Sequence, residues 1–301
     1  MNAKTGFWRV WLLAARPRTL PAAAAPVLVG SAAAFADGIF RPLPAIAALL
    51  GALLLQIGAN IANDYFDFKK GADTSERVGP LRVTQAGLLS PRQVIGGMVV
   101  VFGLAALVGI YLIAVAGLPV LVIGVVSILA ALAYTGGPYP LAYHGLGELF
   151  VLLFFGLAAV CGTYYVQARA LNAVAVWSAL PVGLLAMAIL TVNNLRDVAT
   201  DRVSGKHTLA VRLGERGAVL EYGLWLGLAY LISLAGVLSA GLPAGALLAL
   251  VSLPRAVDLY RQVSVARGRA LNALLAKTGQ LELLFAVFFS LGLVLSRWAG
   301  F

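Results

Sequence analysis

The sequence predicts an all-α integral membrane protein, a single domain over residues 1–301 with about nine transmembrane helices in one bundle. Three observations predict it. The chain is 61% hydrophobic and only 11% charged, whereas a soluble domain carries about a quarter charged residues. Apolar stretches near the roughly 20 residues that cross a bilayer recur from Thr19 to Trp298, separated by short polar or Gly/Pro breaks. Lysine and arginine are also asymmetric. With the N-terminus inside and nine spans, every one of the 22 except Arg41, Arg169 and Arg297 falls on the inner side. The expected setting is the cell inner (plasma) membrane, with the N-terminus cytoplasmic and the C-terminus on the opposite side.

Residues 1–18 read as an interfacial segment, because Arg16 and Arg18 interrupt the apolar run and Trp8 and Trp11 suit the headgroup level. Spans follow at 19–37 and 43–62, then a polar stretch over 66–92. Next come 93–115 and 118–134, separated by Gly117, and a Gly/Pro/Tyr loop leads into 146–167. A span at 173–193 precedes a second polar stretch over 194–216, and the last spans are 217–239, 241–257 and 279–298. The 241–257 stretch holds Pro243 and Pro254, which predicts a broken or tilted helix. Cys161 is the only cysteine, which excludes an intrachain disulfide and a cysteine metal site. The net charge of +10 is spread over juxtamembrane loops, so the expected partners are the lipid bilayer and an anionic substrate, with no nucleic acid and no obligate protein partner.

Function is legible in the acids, because only 12 are present and carboxylates near hydrocarbon are costly. Asn60, Asn63, Asp64 and Asp67 follow one another at i, i+3, i+4 and i+7, which puts them on one helical face. Asp73 and Glu76 come just after. Asn194, Asp197 and Asp201 form a matching stripe at i, i+3 and i+7, close to half a chain length away. Each stripe ends an even-numbered span on the inner face, which predicts a pseudo-repeat of two halves around a cavity open to the cytoplasmic side and to lipid. Carboxylates gathered this way repel one another unless a cation lies between them. Oxygen-only ligands suit Mg²⁺, which completes its shell with waters and phosphate oxygens. The expected metal set is Asn63, Asp64, Asp67, Asp73, Asp197 and Asp201. Lys69, Lys70, Arg77 and Arg82 beside the first stripe, and Arg196, Arg202, Lys206 and Arg212 beside the second, complete a cradle for a metal-bound diphosphate. Topology alone also places basic residues there.

With these stripes, the Ala15-Arg-Pro-Arg-Thr-Leu-Pro21 start, Gly79-Pro-Leu-Arg82, Tyr134-Thr-Gly-Gly-Pro138 and Gly145-Leu-Gly-Glu148, the chain resembles the UbiA superfamily of intramembrane aromatic prenyltransferases. The similarity runs from about Ala15 to at least Gly214. Within that superfamily it looks most like the branch acting on 1,4-dihydroxy-2-naphthoate in the menaquinone pathway, where Gly71 stands in place of a third aspartate and the acid is delayed to Asp73. The resemblance implies a polyprenyl diphosphate as donor, Mg²⁺ as cofactor, and capture of an allylic carbocation by the acceptor ring with loss of CO2. It implies catalytic roles for Asp64, Asp67, Asp197, Asp201 and Tyr139. It also implies substrate contacts from Asn63, Asn194, Lys69, Lys70, Arg82, Lys206, Arg18, Tyr134 and Tyr143. Tyr134, Tyr139 and Tyr143 would offer ring faces to the cation, and Arg16, Arg18 or Arg82 would hold the acceptor carboxylate. The loop after the fourth span lacks the lysine usual in relatives that use 4-hydroxybenzoate. His144 and His207 read as polar loop residues. A transporter or channel also uses intramembrane carboxylates and repeats, though near the membrane midplane. A CDP-alcohol phosphotransferase would need a single long aspartate motif that is missing here.

Overall fold

The computed structural model describes residues 6–71, 78–239 and 241–299. Among them all regular structure is helical: α1 (Phe7–Ala15), α2 (Pro21–Ala36), α3 (Pro42–Lys69), α4 (Pro91–Ala116), α5 (Leu118–Thr135), α6 (Gly147–Ala168), α7 (Ala173–Val203), α8 (Leu209–Ser239), α9 (Leu253–Val265) and α10 (Leu271–Ala299). The starts follow local chemistry. Proline, whose missing N–H costs nothing in a first turn, opens α2, α3 and α4. Ser90 and Gln93 form a reciprocal capping box on α4, and the Asn172 side chain accepts from Ala175 N to cap α7.

Among the described residues seven helices are long and apolar enough to span a membrane, or eight if α1 through Thr19 and α2, bent by 53°, count as one broken span. The 241–257 stretch is broken, as its prolines predict: Ala244–Ser252 winds as a 3-10 helix and passes directly into α9. The prolines flank that segment, Pro243 as its N-cap and Pro254 in the first turn of α9. It packs on α10 at a glycine crossing, where a Cβ on Gly292 would collide with Gly245 O. The two expected polar loops are shorter than 66–92 and 194–216, because α3 continues to Lys69 and α7 to Val203, so the acid stripes ride on helical extensions.

The main core joins α2, α6, α7, α8 and α10 around Leu185, Tyr222, Phe285 and Phe289, all fully buried. A gradient runs from inside to lipid. Of the apolar windows, 61% is buried in α7 and 56% in α10, against 6% in α5, so α5 is an outer helix. Within α6 a π-helical turn over Leu152–Ala158 widens the helix where Gly156 meets Gly183 of α7. The helix α1 lies across α3 and α4, with Val10 and Ala14 buried and Phe7, Trp8 and Leu12 exposed, as an interfacial segment requires. Arg41 backbone N donates to Gln167, Arg169 to Val115 O and Arg297 to Ala36 O. The three arginines that charge counting puts outside therefore sit at one end, roughly 40 Å along α3 from Asp67 at 1.5 Å per residue.

Candidate functional site

The last turns of α3 and α7 bring the two stripes to one cavity of about 630 Å³, whose wall includes Asn63, Asp67, Asn194, Asp197 and Asp201. Asp67 is 2% exposed. Its Oδ2 pairs with Arg82 at 2.8 Å, and its Oδ1 lies 3.5 Å from Lys206 Nζ without a hydrogen bond. The same ammonium stands 3.7 Å from Asp201 Oδ1, so aspartates from separate helices converge on one lysine. Asp197 takes a two-point contact from Arg196, at 2.8 and 2.5 Å. The planar guanidinium suits such a fork.

Several buried polar residues hold this arrangement. Arg196 also donates to Asn193 Oδ1 at 2.9 Å and to Asn272 Oδ1 at 3.1 Å, while Asn272 Nδ2 donates to Val78 O at 2.9 Å. The start of α10 thus fixes both the arginine behind Asp197 and the chain after α3. Asn63 Oδ1 accepts from Thr135 at the end of α5, and Asn194 donates to the buried Glu148 at 3.1 Å. Sequence reasoning missed Asn272, Thr135 and the role of Glu148. For Glu148 a signal existed, an acid at the mouth of an apolar span. For Asn272 and Thr135 none did, because their partners are 76 and 72 residues away.

Asp64 does not do what its spacing suggested. It is 1% exposed and stands outside the cavity wall. Its Oδ2 accepts from Val83 N and its Oδ1 from Thr84 N, both at 3.0 Å, with a further short contact from the Thr84 hydroxyl. The carboxylate is an anchor that seats the turn carrying Arg82. Both of its oxygens are engaged by this turn, and Asp64 does not share the cavity wall with Asp67. Asp64→Ala should destabilise the protein by about 3 kcal/mol, since two buried N–H groups lose their acceptor; thermal unfolding in detergent measures this. Unchanged unfolding together with a lost response to Mg²⁺ would return Asp64 to the metal.

The tyrosines separate in the same way. Tyr134 lines the cavity. Tyr139 is 58% exposed and stacks on His144 with centroids 3.5 Å apart, outside the cavity wall. Tyr143 also stands outside the wall, its ring 4.8 Å from Lys70 Nζ and 5.0 Å from Lys206 Nζ. Lys69 and Lys70 are exposed at the end of α3 and do not line the cavity. The Lys70 pKa is lowered from the usual lysine value, first by partial burial and further by Lys206, with Asp67 acting in the opposite sense. Arg18, Arg82 and Lys206 do line the cavity, as does Arg16. Asp73 lies outside the described residues.

Among the described residues no group of three Asp, Glu, His or Cys side chains could hold a metal ion by themselves. The donor set still fits a hard cation that takes one or two protein carboxylates and finds its remaining ligands on a phosphate: Asp67 Oδ1 is buried without a hydrogen bond, and Asp197 and Asp201 share its cavity. Away from this charged end the walls are apolar, from Ile128 and Phe154 to Ile113 and Val120. The space is therefore built for a polar head and a long hydrocarbon tail.

Comparison with known proteins gives the same outline. The UbiA prenyltransferase family matches residues 23–277. The 1,4-dihydroxy-2-naphthoate octaprenyltransferase of Escherichia coli (strain K12) is 40% identical over 300 residues, covering 97% of each chain. Among solved structures, an apo UbiA homolog from Aeropyrum pernix K1 superposes with a TM-score of 0.69 at 16% identity, over 91% of this chain and 97% of that one. A UbiA homolog from Archaeoglobus fulgidus bound to GPP and Mg²⁺ superposes with a TM-score of 0.67 at 15% identity, over 95% and 99%.

Proposed function

The chain belongs to the UbiA prenyltransferase family, and from that premise we propose that it transfers a polyprenyl group from a polyprenyl diphosphate to 1,4-dihydroxy-2-naphthoate with loss of CO2, giving demethylmenaquinol. It is a multi-pass membrane prenyltransferase. The observation that carries the substrate reading is the shared wall: Asp67 and Asp201 meet one lysine at the charged end of a cavity that is otherwise apolar.

In the reaction the C–O bond to diphosphate breaks with its electron pair leaving on the diphosphate. A bond forms between the prenyl carbon and the acceptor ring, and the carboxylate departs as CO2, returning its pair to the ring. Asp67, Asp197 and Asp201 are the residues that would hold Mg²⁺, with Asn63 and Asn194 beside them. When bound, Mg²⁺ supplies positive charge to the leaving diphosphate. Arg82, Arg196 and Lys206 add fixed positive charge at the same end, already oriented by their carboxylate partners. Tyr134, on the wall, is the ring that would face the cation, and the apolar walls would keep water from it. Arg16, Arg18 and Arg82 all line the cavity and are the candidates to hold the acceptor carboxylate.

We further read the bundle as nine spans, with Ala244–Ser252 and α9 together crossing as the eighth, and the two stripes as halves of a pseudo-repeat. The charged end then faces the cytoplasm, the N-terminus lies inside and the C-terminus outside, and the membrane is the cell inner membrane. The gathering of Arg41, Arg169 and Arg297 at the far end supports this orientation. Membranes incubated with one labelled prenyl diphosphate and a panel of acceptors test the substrate. Prenylation of 1,4-dihydroxy-2-naphthoate with CO2 release is expected, and selective prenylation of 4-hydroxybenzoate would overturn the acceptor.

A further inference from the structure

The ring expected to face the carbocation instead faces two ammonium groups. We infer that Tyr143 is a positioning residue, which sets Lys206 between Asp67 and Asp201 and holds Lys70 beside it at the mouth of the diphosphate site. The inference rests on the reading of that site as a diphosphate pocket.

Tyr143 sits in the Leu141–His144 turn between α5 and α6, outside the cavity wall, whereas Lys206 is on that wall. Lys70 follows the last residue of α3, and Lys206 lies in the turn between α7 and α8. One ring therefore links three separate segments. The backbone is arranged to keep it there: His207 N donates to Tyr143 O at 2.9 Å, and Arg212 donates to His144 O at 2.9 Å. Gly145 turns with φ 72°, and a Cβ there would come within 2.8 Å of His207 O, so only glycine lets the two turns lie so close. Lys206 N also bonds Asp201 O at 2.9 Å.

Two ammonium groups near one ring repel each other, and the negative ring face and two carboxylates offset that repulsion. A flexible lysine stem loses rotamer freedom when it is held, and a ring that holds it beforehand removes that cost from substrate binding. The ring acts on the lysines, and the lysines act on the diphosphate. Loss of the ring should therefore weaken diphosphate binding without slowing the bound substrate.

The test uses the full-length enzyme in nanodiscs with Mg²⁺ present. Tyr143→Leu should raise KM for the prenyl diphosphate and the Kd for inorganic pyrophosphate by about tenfold, a factor within the range of a desolvated cation–π contact, with kcat within about twofold. Tyr143→Phe, which keeps the ring, should restore both constants. In a Lys70→Met, Lys206→Met background the leucine change should add less than about twofold, because both partners are already gone. A fall in kcat with KM unchanged, or a full tenfold effect persisting without the two lysines, would overturn the inference. Tyr143→Met repeats the series if the leucine variant is not recovered from membranes. Pyrophosphate binding needs no acceptor, so a wrong acceptor assignment and a wrong role for Tyr143 give different results.

Discussion

Asp67→Asn should lower kcat by about three orders of magnitude, equivalent to roughly 4 kcal/mol of lost transition-state stabilisation. Asparagine keeps the size and one acceptor oxygen but removes the charge that faces both Arg82 and Lys206. The change also leaves two cations with less compensation in a nearly dry place, where breaking a buried pair costs about 3–5 kcal/mol in the worst case. Motif spacing alone gives no reason to expect a folding penalty. The 2% exposure and the 2.8 Å guanidinium contact do, so some loss of thermal stability is expected beside the loss of turnover. The two are separable by measuring kcat well below the unfolding temperature of the variant. Full turnover in that assay would remove Asp67 from the reaction.

Chelating divalent cations should bring prenyl transfer to background, a fall of at least about a thousandfold, and added Mg²⁺ should restore it. The reason is the sign of the partners. Asp67, Asp197 and Asp201 would face a diphosphate of the same charge, and even at an effective dielectric of 20 two unit charges 4 Å apart repel by about 4 kcal/mol. Arg82, Arg196 and Lys206 are paired with these carboxylates in the substrate-free protein, so without a divalent cation the same three charges must serve both the carboxylates and the diphosphate. Binding of inorganic pyrophosphate, followed by calorimetry, should weaken at least about tenfold in chelator, which gives a readout independent of turnover. Sustained turnover in excess chelator would end the metal assignment.

How much of this could be read beforehand differs by residue. Asp67, Asp197 and Asp201 were legible because a helical period of 3.6 converts spacing into a shared face, and a carboxylate at the end of an apolar span has few bland explanations. Asp64 has the same period and the same neighbours, yet it binds backbone N–H groups 19 and 20 residues further on. No local pattern encodes the fold of the turn that delivers those groups. Tyr139 and Tyr143 sit in irregular structure, where no period says which way a ring points. Eight of the nine apolar stretches lie within helices, but α3 and α7 run on past their expected ends and α8 and α10 begin before their expected starts. The one over 241–257 did not form a single α-helix, because Pro243 and Pro254 bracket it and Gly245 must pass against Gly292.

The position of α5 has a consequence for how a greasy product departs. One side of this helix lines the cavity while Val122, Val126 and Leu129 are exposed on the other, so the partition between a bound tail and the surrounding acyl chains is one helix thick there. Moving a tail across it transfers the chain from one oily medium to another and exposes no apolar surface to water. Escape of the finished molecule is then limited by how readily neighbouring helices part, with no wetting barrier to climb.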